Sequence, residues 1–89
     1  MNTYKLVLAS PDGNLFEGEV TMLTVRGALG DLAVLAGHIP VVTAVVPSTG
    51  KIVTAEGKTV PFHVEGGILS VSKDCVTLLS GSLVLQEPQ

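Results

Sequence analysis

Glycine or proline interrupts this sequence so often that a helix has almost nowhere to run. Ten glycines and five prolines are spread from Pro11 to Pro88, and the longest stretch free of both is Ile68 to Ser80. Even that stretch is rich in Val, Ser and Thr and is divided by Lys73-Asp74, a turn signal between two strands. The apolar residues agree: 14 Val, 3 Ile and 8 Thr make the chain β-branched, while aromatics amount to only 3%. Side chains that are stiff at χ1 suit a pleated surface better than a helix.

The clearest period of two is Val60-Pro61-Phe62-His63-Val64-Glu65, with Val60, Phe62 and Val64 on one face and Pro61, His63 and Glu65 on the other. Pro61 has no amide proton to give a ladder, so it belongs at an edge or facing outward. Reading the remaining breaks predicts strands at Tyr4 to Ala9, Leu15 to Glu19, Thr21 to Arg26, Asp31 to Leu35, Val41 to Val46, Lys51 to Ala55, Thr59 to Glu65, Ile68 to Ser72, Cys75 to Leu79 and Leu83 to Gln86. Tight turns fall at Pro11-Asp12-Gly13-Asn14, Glu56-Gly57-Lys58 and Gly66-Gly67. A single sheet of this composition leaves one hydrophobic face wet. The expected fold is therefore all-β, a ten-stranded antiparallel β-sandwich or flattened barrel with no substantial helix. The pairs Val41-Val42 and Val45-Val46 are apolar on both strand faces, which predicts a sheet covered on each side, in part by another protein.

Size and charge narrow the function. The 89 residues make one small domain, 1–89, with no room for a Rossmann or barrel cofactor fold. Charged residues are 15%, against about 25% in an average domain. Lys5, Arg26, Lys51, Lys58 and Lys73 stand singly and the net charge is −3, so no basic stripe is present to grip nucleic acid. The longest uncharged run, Leu32 to Gly50, contains Gly37, His38, Pro40 and Pro47 and falls short of a membrane-spanning helix. Met1 to Ser10 lacks the pattern of a secretory signal. Cys75 is the only cysteine and makes no internal disulfide, in keeping with a reducing compartment.

Catalytic chemistry finds little support. Asp12, Glu17, Glu19, Asp31, Glu56, Glu65, Asp74 and Glu87 fall mostly at turns or outward strand positions. His38 and His63 belong to no metal-ligand spacing and read as surface or interface histidines. Cys75, beside Val76 in a strand, reads as a small buried hydrophobe. No Gly-x-Ser-x-Gly elbow or phosphate loop occurs, so neither a catalytic residue nor a cofactor is expected. A small hydrolase built on His38 or His63 is the rival enzyme reading. It lacks a recognisable base, nucleophile and orienting group.

The segment from Gly27 to Pro40 stands out, with glycines at both ends framing a loop and a short apolar strand. Leu15-Phe16-Glu17-Gly18-Glu19-Val20, Gly27, Gly30-Asp31, Val34-Leu35, Gly37-His38-Ile39-Pro40, Thr43-Ala44, Gly66-Gly67-Ile68-Leu69-Ser70-Val71 and Val76-Thr77-Leu78-Leu79 occur here in a specific order and spacing. Together they resemble the N-terminal domain of the epsilon subunit of F-type ATP synthase, over about Tyr4 to Ser82. The resemblance implies a ten-stranded β-sandwich and a non-catalytic rotor role in the central stalk. It implies contact with the gamma subunit on one side and with the membrane c-ring through a tip loop, coupling ion translocation to ATP synthesis. It places such a chain peripherally on the cytoplasmic face of the bacterial inner membrane. By position, Gly30, Asp31 and Leu32 are assigned to the c-ring side and His38, Pro40 and Thr43 to the gamma side. Asp31 has two readings, a partner for a basic side chain on the ring or a solvated turn acid. Family members continue into a helical hairpin linked to ATP sensing, whereas this sequence ends at Gln89, so no C-terminal helical domain is expected; a truncated chain reads the same way. The competing binding-module reading is a freestanding β-sandwich adaptor or ligand carrier.

Overall fold

The structure, a computed structural model, describes residues 2–37, 40–73 and 75–85. Nine strands run through them: β1 (Tyr4–Ser10), β2 (Gly13–Gly27), β3 (Gly30–Leu35), β4 (Val41–Val45), β5 (Ser48–Thr54), β6 (Thr59–Val64), β7 (Gly67–Val71), β8 (Cys75–Leu79) and β9 (Leu83–Leu85). No helix occurs among the described residues. The expected all-β sandwich is the observed fold, with nine strands where ten were counted. The difference lies at Val20-Thr21, where two expected strands are one strand of 15 residues. No glycine or proline falls there to turn the chain. Instead the register with β5 slips between Val20 and Met22, and a bulge of this kind bends a strand without ending it.

That bend lets β2 serve both layers. Its first half pairs with β1, and β1 continues through β8 and β7 to β4. Its second half pairs with β3 on one side and with β5 on the other, and β5 continues through β6 to β9. A single bridge, Gly27 to Val45, joins β2 to β4 and closes the structure toward a flattened barrel. All pairs are antiparallel except β1 with β8, a departure from the wholly antiparallel sandwich that was expected. Tight turns force antiparallel pairing only on strands adjacent in sequence, and β1 and β8 are remote, so their direction is set by how the chain returns.

The core lies between the layers. Leu6, Leu8, Leu69, Val76 and Leu78 come from one, Leu23, Ile52, Phe62 and Val64 from the other, and all are fully buried. Phe62 and Val64 point inward as the period of two predicts, with Val60 packed at the margin. Pro61 pairs with Lys51 of β5, one residue before the described β6–β9 pairs, which run from Phe62 with Leu85 to Val64 with Leu83. The β5–β6 crossing is tight: a side chain on Gly50 would meet the Thr24 carbonyl at 2.5 Å and the Phe62 ring at 2.6 Å. Buried polar groups are matched. The Tyr4 hydroxyl donates to the Val34 carbonyl at 2.6 Å. Ser80 Oγ donates to the Gly66 carbonyl at 2.5 Å and accepts from the Ser82 amide at 3.2 Å, tying two turns together.

Candidate partner-binding surfaces

The β2–β3 hairpin ends in a two-residue loop, Ala28-Leu29, between the paired Gly27 and Gly30. Gly30 has φ +131°, a left-handed-side conformation that a residue without a Cβ adopts at no steric cost. Hydrogen bonds from the Ala28 amide to the Ala44 carbonyl (3.2 Å) and from the Val46 amide to the Arg26 carbonyl (3.0 Å) brace the hairpin against β4 and its exit. Arg26 and Asp31 are direct cross-strand partners, and Arg26 Nε donates to Asp31 Oδ1 at 2.9 Å. Asp31 thus has a partner within the hairpin, and its side chain remains 70% exposed. Leu29 is fully exposed at the tip.

Beside the tip is a groove of about 230 Å³ whose lining includes Leu29, Gly30, Asp31, Leu32, Val41 and Thr43. Gly30, Asp31 and Leu32 thus come together as one feature, and Thr43, assigned by position to the other surface, joins them. The alternation of β4 explains this. Thr43 pairs with buried Leu69 and turns toward the groove, whereas Val42 and Ala44 face outward. Pro40 is exposed immediately before β4. His38 lies outside the described residues.

A second surface lies across the outer face of β4, β7, β8 and β1. Registers align Ala44 with Ile68, Ile68 with Leu79, and Leu79 with Ala9, so four strands contribute one apolar row. Val42, Ser70, Thr77 and Val7 form the next row. Val42, Ile68 and Leu79 are large hydrophobic side chains left open to solvent. The margin is polar: Lys5 Nζ meets Glu17 Oε2 at 3.0 Å, and Asn14 donates to Glu17 Oε1 at 3.2 Å. The lysine hydrogen bond, then that of Asn14, holds the Glu17 carboxyl below its ordinary pKa, and the same pair raises Lys5. Val41 and Val42 are exposed as expected, but Val45 belongs to the core and Val46 is half-buried.

Sequence reasoning missed Leu29, Arg26 and the apolar row. A lone leucine between glycines carries no period, and the row exists only across strands. A signal was present in the doublets Val41-Val42, Ile68-Leu69 and Leu78-Leu79: in a strand, two adjacent apolar residues put one on each face. Cys75 is also corrected. Val76 takes the inward position, so Cys75 faces outward and is half-buried, opposite Lys5. His63 Nε2 lies 3.1 Å from Glu65 Oε1 and its Nδ1 3.5 Å from Thr49 Oγ1, on the outer face of β5 and β6. Asp74 and Glu87 lie outside the described residues. Among those described, no group of three or more His, Cys, Asp or Glu is placed to hold a metal ion, and no helix is long and apolar enough to cross a membrane.

Residues 3–86 match the family model of the ATP synthase delta/epsilon chain β-sandwich domain. The chain is 33% identical over 84 residues to the ATP synthase epsilon chain of Xanthomonas oryzae pv. oryzae, a match covering 94% of this chain and 60% of that protein. It thus spans about three-fifths of that relative's length. A chain in the cryo-EM structure of the Euglena gracilis mitochondrial ATP synthase, comprising OSCP, F1 and c-ring, superposes with a TM-score of 0.87 at 25% identity, over 93% of this chain and 53% of that one. A chain in the central stalk and c-ring of the Tetrahymena thermophila mitochondrial ATP synthase has the same fold, with a TM-score of 0.73 at 17% identity, over 92% of this chain and 66% of the other.

Proposed function

The chain belongs to the β-sandwich family of ATP synthase delta and epsilon chains, and on that premise we propose that it is a non-catalytic rotor subunit of an F-type ATP synthase. The outer apolar face seats on the gamma subunit, and the β2–β3 tip reaches the c-ring. Rotation driven by ions crossing the membrane then passes through this domain toward the catalytic head. In this role the domain breaks no bond and needs no cofactor. Its place is peripheral, on the cytoplasmic face of the bacterial inner membrane.

The observation that carries the reading is the presence of two separate exposed surfaces, a tip with its groove and an apolar face, on one sandwich whose layers share a continuous core. A link that transmits torque must resist shear, and cross-strand hydrogen bonding with a close-packed interior supplies that stiffness. Specific interfaces bury roughly 800 Å² per partner. The test is reconstitution. Mixed with the gamma subunit, the chain is expected to co-elute one to one; no complex at micromolar concentration, with the fold intact by circular dichroism, refutes the assignment.

A further inference from the structure

Strands β2, β1, β8, β7 and β4 form a closed ring in which each pairs with the next. Four of its joints are broad, with seven pairs between β2 and β1, five between β1 and β8, four between β8 and β7 and five between β7 and β4. The last, between β4 and β2, is a single bridge among the described residues, Gly27 with Val45. Two backbone hydrogen bonds close it, from the Ala28 amide to the Ala44 carbonyl and from the Val46 amide to the Arg26 carbonyl. Gly27 brings no side chain to this joint. Beyond the bridge the groove of about 230 Å³ separates the two elements, with Leu29 and Leu32 on the hairpin wall and Val41 and Thr43 on the β4 wall. A ring of strands yields first at the joint with the fewest hydrogen bonds and the least packing.

We propose that the β4–β2 joint is a gate in the wall of the sandwich, opening locally while the rest of the ring stays paired, and that its closure couples the outer apolar face to the tip. β4 is the element the two surfaces share: Val42 and Ala44 stand in the outer rows, and Val41 and Thr43 line the groove. With the joint open, β4 is an edge strand held only by β7. Free of β2, it twists further against β7, which takes Val42 and Ala44 out of line with Ile68 and Leu79. A partner seated on the aligned rows therefore favours the closed state. The order it imposes on β4 passes through Ala44 to Ala28, next to the tip, and by linkage whatever fixes the tip strengthens the hold on the face. The coupling rests on the rotor reading for its partner; the opening does not.

Native-state hydrogen exchange, followed amide by amide by NMR at several low urea concentrations, reads the gate in the isolated chain. The Ala28 and Val46 amides are expected to exchange at least about 100-fold faster than the most protected amides of β1 and β8, at rates that hardly change with urea, as local opening exposes little surface. Exchange of Ala28 and Val46 at the rate and urea slope of those core amides overturns the gate. A second arm adds the gamma subunit at saturation. Ala28 and Val46 are expected to slow by about tenfold or more, a coupling of ordinary size, while amides of the β6–β9 edge, in the other layer, change by less than about twofold. Gamma binding that leaves Ala28 exchange unaltered, or that slows the β6–β9 edge equally, overturns the coupling and leaves the rotor reading intact. Failure of gamma to bind sinks the rotor reading and the coupling together, with the opening of the gate still decided by the first arm.

Discussion

Replacing both Ile68 and Leu79 by Ala tests whether the outer face is an interface. The two side chains stand directly opposite each other on β7 and β8 and are 48% and 50% exposed. Complete burial of a side chain of this size is worth roughly 1.5–3 kcal/mol. Half of each remains in water, so covering the pair is worth roughly 1.5–3 kcal/mol in total. Alanine forfeits most of that, and a loss of about 2 kcal/mol corresponds to a dissociation constant about 30-fold weaker. As cross-strand neighbours the two sites couple, so the single changes need not sum to the double. Calorimetric titration of gamma measures the effect, with circular dichroism confirming the fold. Val84→Ala supplies the control: it is 59% exposed on β9, in the other layer, and its loss is expected to leave gamma affinity unchanged. Binding of the double variant within about threefold of wild type, or equal weakening by Val84→Ala, refutes the reasoning.

Tyr4 is the only tyrosine, so phenolate absorbance reports it alone. Burial pushes its pKa up to about 12. The folded-state value lies above the unfolded one near 10, so this group's contribution to stability is complete below about pH 10 and is lost as pH rises toward 12; a folded-state absorbance midpoint near 10 contradicts this. Gly50→Ala is expected to destabilise by about 1–3 kcal/mol or more in urea melts, because the Thr24 carbonyl at 2.5 Å cannot move aside. Adding Phe62→Leu removes the clash with the ring and not the one with the backbone, so full rescue argues against the geometry. Ser80→Ala strips the Gly66 carbonyl and the Ser82 amide of their side-chain partner and is expected to cost about 1–3 kcal/mol by the same measurement, with no change counting against the bridge.

Much of the architecture is visible one residue at a time. Alternation from Val60 to Glu65 placed Phe62 and Val64 in the core, and the glycines of the turns marked where the chain reverses. The reading failed where the deciding contact is remote. The break expected at Val20-Thr21 is a bulge because β5, some thirty residues later, accepts a slipped register. Cys75 faces outward because β7 and β1 both require Val76 inside. At the tip, Gly27 and Gly30 located the loop, yet only the register of β2 with β3 shows that Arg26 opposes Asp31.

What this chain settles from its sequence is local: steric preference and alternation act over a few residues, so strands, turns and inward faces follow from β-branched runs punctuated by glycine and proline. Which strands become neighbours is decided by tertiary structure, since that choice depends on burying two layers against each other at once. The row from Ala44 through Ile68 and Leu79 to Ala9 is drawn from four strands separated along the chain. Only after the layers close do these residues lie side by side, because the inward residues fix the register and the outward ones are aligned by it.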